Sequence, residues 1–164
     1  MLDSNFPRKR MLRAGGRQNV FARGRNESAE HVLMKAFLWA LYLPQYPDLT
    51  VEIKIGDRYK PDVVQMETTR FGDLRPVFWG EAGQISVKKI ESLARRYRET
   101  HFAIGKWETA IAPYVAIVQE ATRGLERAAP FDVIRFPGDS ASRFIDRDGV
   151  IHITFADVER VSIV

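Results

Sequence analysis

The chain has 164 residues, of which 45% are hydrophobic and 28% charged, a balance that suits one domain with a substantial core. It contains no cysteine, which excludes disulfides and thiolate-bound zinc or iron–sulfur centres. The formal charge of +4 is lopsided: residues 1–25 carry +6, with seven Arg or Lys against Asp3 alone, and residues 26–164 carry −2.

In chain order, residues 1–17 show little periodicity and include Pro7, Gly15 and Gly16, so a flexible basic N-terminal arm is expected, followed by a single domain over 18–164. Such an arm either binds nucleic acid through counterion release or is a solvated tail. No apolar segment follows the basic start, so no secretory signal is expected. The longest apolar run, 32–43, is interrupted by Lys35 and too short to span a bilayer, so a cytoplasmic protein without membrane attachment is expected. Residues 18–22 suit a short edge strand. A helix is predicted from the N-cap Ser28 to Leu43, with its apolar stripe at Leu33, Ala36, Phe37, Ala40 and Leu41. Three strands are predicted at 50–56, 60–67 and 76–82. A helix over 86–100 follows, with its stripe at Ile90, Leu93, Ala94 and Tyr97. Further on, the pattern predicts a strand at 101–104, a helix over 107–126 kinked at Pro113, and a strand at 131–136. A hairpin of 143–145 with 150–155 and a last strand at 160–164 complete the list. This order implies an α/β fold, a mixed sheet flanked by helices.

Three carboxylates stand out. Asp62 lies between Pro61 and Val63-Val64, where strands are poor in aspartate, and Glu81 follows Phe78 and Trp79 near the end of its strand. Each has an ordinary reading: in that reading Asp62 begins its strand and forms a turn with Lys60, and either acid alone says little. Glu30 lies about 60° from Leu33 on a helical wheel, on or beside the apolar face, while His31 and Lys35 fall on the opposite, solvated side. Glu30 is then either a core-facing acid needing a partner or a first-turn acid favoured by the helix dipole. Hard oxygen ligands of this kind suit Mg²⁺ or Mn²⁺. The helix after Glu81 carries Lys88, Lys89, Arg95 and Arg96, either a phosphate path or a solvated basic face. The histidines His31, His101 and His152 have no metal-site spacing, and Trp39, Trp79 and Trp107 are expected in the core.

Pro61-Asp62, Glu81 on the next strand and Glu30 on the preceding helix resemble the PD-(D/E)XK nuclease superfamily. More narrowly, three segments spanning much of 19–163 resemble its YaeQ-like branch: residues 21–31 leading into the first helix, Phe78-Trp79-Gly80-Glu81-Ala82-Gly83, and residues 148–153. The resemblance implies a restriction-endonuclease-like αβββαβ core with an additional C-terminal helix and strands. It also implies Mg²⁺- or Mn²⁺-dependent hydrolysis of phosphodiester bonds in DNA or RNA. Asp62 and Glu81 would hold the metal, with Glu30 supporting the site. One position departs from the pattern: Gly83 stands where the superfamily's lysine is expected. Phase favours Lys89 over Lys88 as its replacement, because Lys88 points fully outward. Gln84, Lys88, Arg95 and Arg96 are then candidate substrate contacts. The alternative is a catalytically degenerate module on the same scaffold, binding nucleic acid or a protein partner.

Overall fold

The computed structural model describes residues 8–164. The chain opens with a hairpin of β1 (Lys9–Ala14) and β2 (Arg17–Ala22), followed by helix α1 (Ala29–Tyr42). Next come β3 (Thr50–Val51), β4 (Val63–Thr68), β5 (Leu74–Ala82) and α2 (Val87–Arg96). The remainder is β6 (His101–Trp107), α3 (Ala112–Thr122), β7 (Phe131–Phe136), the short α4 (Ser140–Phe144) and β8 (Glu159–Ile163). Strands β3 to β8 form one six-stranded sheet in sequence order. The β3–β4, β4–β5 and β7–β8 pairs are antiparallel, and β5–β6 and β6–β7 are parallel. Parallel neighbours need a crossover, and α2 and α3 supply the two.

The strand alternation separates two hydrophobic clusters. Phe78, Ala82, Ala103, Ile134 and Phe136 turn toward α1, which is buried along nearly its whole length. Trp79, Phe102, Ile104 and Val133 turn the other way, onto Ile90, Leu93 and Ala94 of α2 and Val118 and Ala121 of α3. The sheet is therefore covered on both faces, as expected for parallel central strands. In β5, Pro76 has no N–H for the ladder, and the β4–β5 register shifts beside it, between Gln65 and Met66.

Several sequence expectations are corrected. The expected flexible arm is, from Lys9 onward, a paired strand: Leu12 and Ala14 enter the core with Phe21, whose ring packs edge-on against Trp39 at 5.5 Å. The alternation was masked by the charged outward residues, and the expected boundary at residue 17 falls at the start of β2; residues 1–7 of the arm lie outside the described residues. The strand expected over 50–56 ends at Val51, because Glu52 takes a left-handed backbone with φ of 55°. Pro113 does not kink a helix, because it occupies the first turn of α3, where no N–H is missed. The expected hairpin around residues 146–149 is reduced to an Ile145–Ile151 bridge after α4. This segment instead reaches the edge of β1, where the Arg13 N–H donates to Gly149 O at 2.8 Å and the Ile151 N–H to Arg13 O at 2.7 Å. Gly149 is required there: a Cβ would meet Met11 O at 2.9 Å.

Candidate functional site

Asp62 precedes β4, and Glu81 lies one residue from the end of β5. The Asp62 N–H donates to Gly80 O at 3.1 Å, while its Oδ2 accepts from the Ala82 N–H at 2.8 Å, so the strand ends are tied by side chain as well as ladder. Glu81 is buried, and its Oε1 accepts from Trp79 Nε1 and pairs with Lys89 Nζ, each at 2.9 Å. Burial, and then the charge of Asp62, push the Glu81 carboxyl above its ordinary range against the pull of Lys89 and Trp79. Asp62 Oδ1 and Glu81 Oε2 accept no hydrogen bond among the described residues.

Helix α2 delivers Lys89. Ser86 caps the helix by accepting from the Lys89 N–H at 3.1 Å, fixing the first turn so that the Lys89 side chain folds back over Glu81. Lys89 also stands 5.0 Å from the Tyr59 ring. Arg96, expected beside it on a phosphate path, is committed elsewhere, forming a bidentate pair with Asp57, whose carboxylate also accepts from Tyr97. Despite the opposing effect of burial, these partners hold Asp57 at about 2. Lys88 and Arg95 are exposed on the outer side of α2.

The largest departure from expectation is on α1. Glu30 is half-buried, has no hydrogen bond or ion pair among the described residues and does not line the cleft described below. The polar face toward Asp62 is formed instead by Glu27, His31 and Lys35, spaced four residues apart. Lys35 is only 1% exposed; its Nζ pairs with Glu27 Oε2 at 2.6 Å and with Glu52. His31 bonds Glu27 through Nδ1 and faces Asp62 Oδ2 through Nε2 at 3.6 Å. Asp62, and then Glu27, overcome burial to raise His31 to about 9, so the imidazolium persists at neutral pH. A stripe argument fails on a helix buried all round, because it assumes a wet side where charges belong. The sequence signals for this set are the four-residue spacing of Glu27, His31 and Lys35 and a lysine inside the apolar run 32–43.

Glu27 and His31 border a cleft of about 640 Å³ whose lining also includes Arg25, Glu52, Gly83 and Gln84, with Asp62 behind His31 rather than in the lining. Gln84 is exposed at its rim. Gly83 has φ of 80°, and a Cβ there would sit 3.4 Å from His31 Cδ2, so this position suits a glycine and strains a lysine. One residue beyond the Ala82–Gly105 pair, on the neighbouring parallel strand, is Lys106, whose Nζ donates to Gly83 O at 2.5 Å and stands 3.9 Å from the Tyr114 ring. It is buried with no acidic partner among the described residues, and burial lowers its pKa. Sequence reasoning passed over it, because only the β5–β6 register places it beside Gly83. Among the described residues, no group of three or more His, Cys, Asp or Glu is arranged to hold a metal ion.

No family profile and no curated protein matches the chain. Solved structures do. The crystal structure of the YaeQ protein from Pseudomonas syringae superposes with a TM-score of 0.55 at 16% identity, over 88% of this chain and 82% of that one. The YaeQ protein from Xanthomonas axonopodis pv. citri gives a TM-score of 0.55 at 16% identity, over 82% of this chain and 75% of that one. The fold is YaeQ-like. The mixed sheet and its helical layers agree with those structures, as the resemblance implied. Among the described residues, no helix is long and apolar enough to cross a membrane.

Proposed function

We propose that this chain is a Mg²⁺- or Mn²⁺-dependent nuclease of the PD-(D/E)XK type, with Asp62 and Glu81 as its metal-holding pair. The observation that carries the reading is that the Asp62 backbone and side chain bond Gly80 O and the Ala82 N–H on either side of Glu81, setting the two carboxylates at one sheet end, each with one oxygen open. Mg²⁺ commonly binds one or two carboxylates and completes its shell with water and substrate phosphate, so this donor set fits it. When bound, such an ion supplies Lewis acidity at the phosphate and lowers the pKa of a water. The protein's own groups do the rest. Lys89 opposes the rise that burial and Asp62 impose on the Glu81 carboxyl, and Trp79 fixes the carboxylate plane. His31, as an imidazolium, and Arg25 at the cleft present cations to a phosphodiester, and Gln84 offers an amide donor at the rim. Glu27, just before the N-cap of α1, has the supporting part first given to Glu30, through His31 rather than through the metal.

The test is nicking of labelled single- and double-stranded DNA and RNA with Mn²⁺. Activity is expected in the native chain and a loss of at least about 100-fold in Asp62→Asn and in Glu81→Gln, each checked by circular dichroism to be folded at the assay temperature. Cleavage that survives both substitutions overturns the assignment. A second reading, a binding module without catalysis, is favoured by one observation: the protein's own cations His31 and Lys89 already face Asp62 and Glu81. Mn²⁺ titration by paramagnetic broadening separates the two, since the module requires no ion at this pair.

A further inference from the structure

We infer that the outward face of the β1–β2 hairpin is a docking surface for single-stranded nucleic acid that leads into the cleft; the choice of occupant rests on the function proposed above. Residues 8–25 contain seven Lys or Arg and no acid, whereas residues 26–164 carry −2, so the basic charge of the chain is concentrated on this hairpin and its exit. The register divides its side chains cleanly. Leu12, Ala14 and Phe21 are buried against the core, whereas the pairs Lys9–Ala22, Met11–Val20 and Arg13–Gln18 all point outward.

The composition of that face selects the partner. At its centre Met11 and Val20 sit directly opposite one another, 41% and 47% exposed, with Lys9 to one side and Arg13 to the other. Duplex nucleic acid presents phosphate ridges and hides its bases in grooves. The centre of this face, Met11 opposite Val20, has no side-chain donor or acceptor with which to read base edges in a groove. A single strand exposes phosphates and bases together, and so can use the flanking cations and the aliphatic centre at once. No carboxylate neutralises Lys9 or Arg13: among the described residues Lys9 has no side-chain partner, and Arg13 donates only to the Asp148 carbonyl.

The face is also continuous with the cleft. The hairpin's open end is closed by the Arg23 N–H donating to Arg8 O at 2.9 Å. Two residues later Arg25 lines the cleft beside Glu27 and His31. A strand lying along Lys9, Met11 and Arg13 therefore reaches Arg25 without crossing an acidic surface of the hairpin.

The experiment is fluorescence anisotropy of a fluorescein-labelled single-stranded oligodeoxynucleotide with the full chain, in EDTA and over a range of salt. Binding is then independent of cleavage, and failure of the nuclease assignment leaves this measurement intact. If Lys9, Arg13, Arg25 and Arg8 each neutralise a phosphate, the slope of log K against log salt is about −3. Lys9→Gln with Arg13→Gln should make that slope shallower by about 1.4 and weaken binding about 25-fold at 0.1 M salt. Arg8→Gln with Arg25→Gln provides a second pair away from the Arg13–Asp148 contact. Met11→Ser with Val20→Ser should weaken binding severalfold and leave the slope unchanged. An unaltered slope in both charge variants overturns the inference. So does equal affinity for the matching duplex, or binding to phosphatidylserine vesicles without binding to the oligonucleotide.

Discussion

His31 offers a direct measurement of the site's electrostatics. Its pKa is raised from 6.5 to about 9, chiefly by Asp62 and then Glu27, with burial opposing. A histidine whose folded-state pKa exceeds its unfolded one contributes stability that is fully present below pH 6.5. That contribution is lost as pH rises through about 9. At about 1.4 kcal/mol per unit the rise corresponds to roughly 3 kcal/mol. The side chain is 31% exposed and Asp62 stands 3.6 Å away, so screening reduces the expectation to about 2 kcal/mol. Urea denaturation of the native chain and of His31→Gln, repeated across that interval, reads the effect as a difference between two curves. The native chain should lose about 2 kcal/mol relative to the variant between pH 6.5 and 9.5. Imidazole resonances followed by NMR should titrate near 9 in the native chain and shift toward 6.5 in Asp62→Asn. Parallel stability curves, or an imidazole titrating near 6.5 in the native chain, would refute the account of His31 as a cation held between two acids.

Two further substitutions probe the groups around it. Lys35→Met removes the cation shared by Glu27 and Glu52 and strands a carboxylate beside the core, for an expected loss of about 3 kcal/mol by urea denaturation. Adding Glu27→Gln should recover much of that loss. Arg127 closes the C-terminal end of α2, donating to Ala94 O at 2.8 Å, Tyr97 O at 2.9 Å and Thr100 O at 2.6 Å. With no acid to offset burial, its pKa falls to about 10. Arg127→Met should cost about 2 kcal/mol, seen as a lower thermal midpoint, and Arg127→Lys should restore only part, since an ammonium cannot span three carbonyls in a plane.

The sequence carried the fold further than it carried the site, and the reason lies in what each depends on. Helix α1 was bounded correctly by Ser28 and Pro44, and β7 and the core of β5 by their apolar runs, because caps, prolines and β-branched stretches act locally. Asp62 and Glu81 were legible for the same reason: each is an acid out of place in an apolar strand sequence. The errors share a different origin. The hairpin strand β1 is hidden in the sequence because two of its three outward residues, Lys9 and Arg13, are basic and the third, Met11, is apolar, which blurs the alternation. Glu30 stands out in the sequence because helix phase is measured against a single apolar stripe, and Glu27, before the cap Ser28, falls outside that measure. In fact α1 has core on almost every side, and its polar residues face one end of the sheet.

Gly83 shows how far local reading can go. From the sequence it is a missing lysine; in the structure the position has a left-handed backbone pressed against His31, where a lysine would be strained. The charge absent from β5 appears on β6, where Lys106 occupies the next position along the parallel register and donates to the Gly83 carbonyl. Its depressed pKa follows from burial without a carboxylate, an environment that a surface lysine lacks. Lys89, by contrast, is paired with Glu81 and supports that carboxylate's charge. Two lysines thus stand on either side of the end of β5: Lys89 pairs with the Glu81 carboxylate, and Lys106 holds the Gly83 carbonyl at the cleft wall. That arrangement depends on the pairing of β5 with β6 across a crossover helix, which brings Gly83 and Lys106 together from 23 residues apart, and no local motif records it.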